Sequence, residues 1–145
     1  MVDSYIKNHS FFHGWDDKYL QNIIDISHLR TYPKDYRIIE EGFYADKFFI
    51  IVSGLVEVKS MDIVLQILGA GEVVGWSWLI PPYTWNFSVD TIKETICIVI
   101  DTEKLKEIFK KEKEIEYLIY KSMFFVVSNR LKGARQKIVE LCLKR

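Results

Sequence analysis

The hydrophobic period of this chain changes twice, and that change limits its fold more than any other feature. Across residues 36–100 apolar side chains recur at every second position, and on either side they recur at every third or fourth. A period of two belongs to strands with one buried face, a period near 3.6 to helices. In residues 48–52, Phe48, Ile50 and Val52 alternate with Phe49 and Ile51; after Ser53-Gly54, Val56 and Val58 stand opposite Leu55, Glu57 and Lys59. Residues 37–40, 63–68, 85–91 and 95–100 read as further short strands. Glu41-Gly42 and the Gly69–Gly71 stretch mark turns between them, with Gly69 and Gly71 expected at positive φ. Many short strands with regular turn signals predict a sandwich or barrel.

Helical periods flank this region. Residues 16–27 predict a short helix that Asp16 or Asp17 can cap, with Tyr19, Leu20, Ile23, Ile24 and Ser27 on one stripe, and Pro33 closes anything helical before it. Asp101 can cap a second helix carrying Leu105, Ile108 and Phe109, and a charged KKEKE run leads into a long final helix. There Tyr117, Tyr120, Phe124, Val127, Leu131, Ala134, Ile138 and Leu141 step by three and four in alternation, as a heptad seam does. Ile115, Leu118, Phe125 and Val126 lie on another face. One face can pack on the strands and the other on the same helix of a second copy, so a homodimer is expected. The alternative is a helix folded wholly onto its own domain. Gly133 weakens the helix by ~1 kcal/mol relative to Ala. No repeat, low-complexity tract or linker interrupts the chain, so residues 1–145 read as one domain, a roll over about 32–100 followed by helices over about 101–143.

Composition narrows the function. Equal numbers of basic and acidic residues, 20 of each, give no global attraction to nucleic acid or anionic lipid. The stretch 129–145 holds six Lys/Arg and one Glu, which suits a solvated helix end. Two cysteines, Cys97 and Cys142, without metal or disulfide spacing, and an N-terminus without a secretory pattern point to the cytoplasm. No apolar run is long enough to span a bilayer, so no membrane partner is expected. The three histidines, His9, His13 and His28, precede the strands, so no metal site of the cupin kind is expected. Ser77 lacks the second glycine of a nucleophile elbow, and residues 69–75 lack the Lys-Ser/Thr of a P-loop. No catalytic residue and no cofactor are therefore assigned.

Four stretches carry a family resemblance: YPKDYRIIEEG at 32–42, ADKFFIIVSGLVEV at 45–58, LGAGEVVGWSWL at 68–79 and TICIVIDTEKLKEIF at 95–109. Together they resemble the cyclic-nucleotide-binding domain of the bacterial catabolite-activator type, over nearly the whole chain. The resemblance implies a mainly β fold with flanking α, a jelly roll (double-stranded β-helix) with an N-terminal helix and a long C-terminal helix, often dimeric through that last helix. It also implies a phosphate cassette in which a Glu follows the second glycine and an Arg precedes the next strand. Here Gly75 is followed by Trp76, the Arg position falls at Asn86, and residues 60–92 contain no Lys or Arg. A buried phosphate needs a paired cation. The cassette, Gly75, Trp76, Ser77, Trp78, Trp85, Asn86, Phe87 and Ser88, is thus read as degenerate. Its rings either fill the nucleotide's space or line a reshaped pocket with Asn86 and Ser88 as polar anchors. The rigid Pro81-Pro82 pair suits either, and one of its bonds can be cis.

The expected function is a non-catalytic regulatory or sensor module that does not bind cyclic AMP in the usual way. Alternatives are an interaction scaffold with a filled pocket, and a cyclic-nucleotide binder that borrows Arg130 or Arg135 from a partner subunit. Transcription factors of this type carry a helix-turn-helix after the long helix. This sequence stops at Arg145, so direct DNA binding is not expected.

Overall fold

A computed structural model describes residues 1–144. Helix α1 (Val2–Asn8), a 3-10 turn (Ser10–Phe12) and helix α2 (Asp17–Ile24) precede eight strands. These are β1 (Ser27–Tyr32), β2 (Arg37–Ile39), β3 (Lys47–Ser53), β4 (Leu55–Ser60), β5 (Ile63–Gly69), β6 (Val73–Val74), β7 (Ser88–Thr91) and β8 (Thr95–Asp101). A second 3-10 turn (Ser77–Leu79) sits between β6 and β7, and helices α3 (Thr102–Lys111) and α4 (Lys113–Leu143) follow. The strands form two antiparallel four-stranded sheets, ordered β1-β8-β3-β6 and β2-β7-β4-β5, a sandwich as the alternating periods predict and the jelly roll that the family resemblance implies.

The two sheets are buried differently, and their sequences say why. In β3, residues 48 to 51 are all buried, because one face of this sheet meets the other sheet and the opposite face meets helices. Phe48 contacts Phe11 at 5.5 Å and Trp78 at 5.8 Å between ring centroids, so it faces the helical side. Its cross-strand neighbours Ile100 and, two residues on, Ile98 share that face. In β4 only Val56 and Val58 are fully buried, while Glu57 and Lys59 look outward. There Asp90 takes a forked pair of bonds from Arg37, at 2.7 and 3.0 Å, and a third from Lys59 at 3.1 Å. The Arg37 hydrogen bonds, opposed by partial burial, hold the Asp90 carboxyl below the usual carboxylate range.

Several expectations shift at their edges. The helix expected over residues 16–27 is α2 and ends at Ile24, and Ser27 starts β1 instead, its hydroxyl donating to the Ile23 carbonyl at 2.6 Å. Strand β1 therefore lies ahead of the expected start of the roll near residue 32; it is polar, and only Tyr32 of it is buried. The expected strand 85–91 is shorter, because Trp85 to Phe87 run as loop into β7. Of the glycine pair, Gly71 has φ +88, whereas Gly69 lies in β5 without a positive φ. Helix starts follow the caps: Asp16 accepts from the Lys18 N–H and Asp101 from the Lys104 N–H. Among the described residues no helix is long and apolar enough to cross a membrane.

Helix α4 rests on the body through Ile115, Ile119 and Met123, with Leu118 and Val126 partly buried beside them. Phe125, expected with that face, is 64% exposed. The eight seam residues are exposed, Val127 at 41% and Phe124 at 73% among them, and Tyr120 also touches Phe109 of α3 at 6.2 Å between ring centroids.

Candidate functional site

The segment after β6 determines what the mouth of the roll can hold. Gly75 turns the chain at φ +87, the 3-10 turn follows, and a cis bond joins Pro81 to Pro82. The ring of Trp85 then returns onto Gly75. A Cβ added there would meet Trp85 Cη2 and Cζ3 at 2.8 Å and the Ile39 Cδ1 at 3.4 Å. Trp78 points the other way, wholly buried between Phe48 and Phe109, with the latter ring at 6.1 Å. One tryptophan thus covers the glycine turn, and the other joins the cassette to β3 and α3.

The other expected site residues divide between these surroundings. Trp76 is partly buried against Phe87 at 6.1 Å, and Phe87 also meets Trp85 at 6.5 Å. Ser88 is buried and its hydroxyl accepts from the Glu41 N–H at 3.0 Å, which ties it to the turn after β2. Ser77 is buried with Trp78, and neither its hydroxyl nor the Trp78 indole N–H has a hydrogen-bond partner. Asn86 is exposed.

The cation absent from residues 60–92 is brought by α4 of the same chain. Arg130 has only 12% of its side chain exposed. It donates to the Val73 carbonyl, stands 3.6 Å from Glu72 Oε2, and lies over the Trp76 ring at 5.0 Å. Burial pulls its pKa below that of a free guanidinium, partly opposed by Glu72. One alternative had Arg130 or Arg135 lent to a partner subunit's site; Arg130 faces its own roll, while Arg135 is exposed.

Beside Arg130 lies a groove of about 560 Å³. Its walls are the N-terminal turn (residues 9–11), β5 (66–68), the loop into β6 (71–73) and the α4 face carrying Ser122, Phe125, Val126 and Asn129. Ser122 ties α4 to the N-terminal turn by donating to the Phe11 carbonyl at 2.7 Å. His9 accepts the Phe11 N–H at Nδ1, 3.0 Å away, so its proton sits on Nε2, which is buried without a hydrogen-bond partner. Burial lowers the His9 pKa, against the opposing pull of the Gly71 carbonyl and Glu72. Sequence reasoning placed none of this groove, although Ile115, Ile119, Met123, Val126 and Arg130 are spaced as one inward helical stripe.

A family model for the cyclic nucleotide-binding domain matches residues 29–112, more than half of the chain. No curated protein matches it. Among solved structures, a protein from Geobacter metallireducens assigned to the cyclic nucleotide-binding proteins has a TM-score of 0.84 at 23% identity, covering 90% of this chain and 98% of its own. A cyclic nucleotide-binding domain from Methylobacillus flagellatus gives 0.82 at 16%, covering 96% and 85%. The catabolite activator protein of Thermus thermophilus gives 0.69 at 19%, covering 91% and 62%. At these identities the likeness concerns the fold.

Proposed function

The chain belongs to the cyclic nucleotide-binding domain family, and from that footing we propose that it is a non-catalytic sensor module whose cassette does not seat a cyclic phosphate by the usual contacts. The observation that carries this reading is the Trp85 ring lying on Gly75, where the cassette turn would otherwise open toward a ligand. The position after Gly75 offers an indole instead of a carboxylate, and Asn86, at the position of the family's phosphate-pairing Arg, is exposed. Burying a phosphate charge without a cation costs several kcal/mol. Arg130, the cation stacked on Trp76, donates to Val73 and pairs with Glu72.

The module works as one domain and pairs with a second copy through the exposed seam on α4, whose apolar rows are self-complementary along a common axis. Free thiols at Cys97 and Cys142 suit the cytoplasm. A pure scaffold role draws support from the burial of Trp78 and Trp85. The groove beside Arg130 favours a ligand-responsive module over it.

Isothermal titration with cyclic AMP and cyclic GMP tests the cassette reading. The expected result is no saturable binding below about 1 mM, and a dissociation constant under about 10 μM for either nucleotide overturns it.

A further inference from the structure

The groove beside α4 is lined by no residue of the cassette and holds a guanidinium with N–H donors to spare. A guanidinium has five N–H donors in a planar fork. Arg130 gives one to the Val73 carbonyl, while Glu72 at 3.6 Å is an ion pair beyond hydrogen-bond reach. The remaining donors open onto a narrow strip of solvent, the side chain being 12% exposed. His9 stands in the same wall, its Nε2 buried and under the pull of the Gly71 carbonyl. Both residues line one cavity.

We propose that this groove binds a small organic acid with an apolar body. The carboxylate takes the fork of Arg130, and the body lies against Phe11, Phe125 and Val126. A planar fork matches a carboxylate in size and charge. Glu72 is half exposed and free to turn to solvent when a ligand carboxylate takes its place, so a monoanion leaves the charge balance unchanged. A phosphate dianion would add negative charge beside Glu72. The volume lies within the usual range for small-ligand sites, about 300–1,000 Å³. The proposal rests on the sensor reading and is independent of whether the cassette is closed.

The test is calorimetric titration of the full chain with benzoate and hexanoate, each paired with its neutral amide, and with inorganic phosphate. At least one acid is expected to bind below about 1 mM, with its amide and phosphate about tenfold weaker or silent. Arg130→Gln should abolish binding. Phe125→Glu, at an exposed rim position, should weaken it at least about tenfold without disturbing the fold. Silence of both acids up to about 10 mM, equal binding of acid and amide, preference for phosphate, or full retention in a folded Phe125→Glu variant overturns the proposal. Repeating the titration with cyclic AMP present separates the two readings: cyclic AMP binding sinks the cassette reading alone, and failure of the acids sinks this one alone.

Discussion

Trp85 and Gly75 are mutually exclusive in space: the indole ring stands where any side chain at position 75 would begin. Gly75→Ala must strain a backbone at φ +87 and displace a buried ring, so it should destabilise the domain by about 2–4 kcal/mol. Trp85→Ala removes the ring and should cost about 3–5 kcal/mol through the cavity it leaves. Urea unfolding of both variants checks the pair.

Restoring the family's two charged residues should not restore the family's ligand. Trp76→Glu combined with Asn86→Arg supplies a carboxylate and a cation, but Trp85 still covers the turn and position 86 still faces solvent. Calorimetry should detect no cyclic AMP binding by the double variant up to about 1 mM. Tight binding would mean that the rings yield to the nucleotide.

The seam on α4 should set oligomeric state without setting monomer stability. Phe124 is 73% exposed and Leu131 59% exposed. Phe124→Glu with Leu131→Glu should convert a dimer to a monomer in sedimentation velocity, because like charges would face each other across the seam. Its intrachain cost should stay within about 0.5 kcal/mol per site, as at other surface positions.

His9 should make the fold sensitive to mild acid. Burial lowers its pKa in the folded chain, so the unfolded chain binds the proton more readily. Its contribution is complete above the unfolded value of about 6.5 and is lost as pH falls through the folded value. Thermal melts from pH 8 to pH 5 should show a decline that His9→Gln flattens.

The two thiols should differ sharply. Burial pushes the Cys97 thiol up to about 12, whereas Cys142 is exposed. A disulfide-exchange reagent at pH 8 should count one reactive thiol in the native chain and two after denaturation.

The roll and its helices could be read from the residues because their signals are local. Alternation in residues 48–58 and the Asp16 and Asp101 caps depend on neighbours in sequence. Strand β1 escaped because its sequence, SHLRTY, buries one side chain fully and otherwise looks like loop. The cassette could be read for what it lacks, but not for the opposite directions in which Trp78 and Trp85 turn. Arg130 was visible as a charge on α4. Its inward rotation depended on which of two apolar stripes meets the body, and the exposed seam was the more regular of the two in sequence. His9 gave no signal, since its role comes from contacts of the N-terminal turn with residues 71–73 and α4.

Arg130 is also the last inward contact along α4, for residues 131 to 144 are all exposed. At about 1.5 Å per residue, the helix extends roughly 20 Å past that point. A tilt of the helix by about 10° at that point would carry the far tip through about 3–4 Å. The lever arm of α4 beyond the roll is thus long compared with any shift that a side chain at position 130 could make.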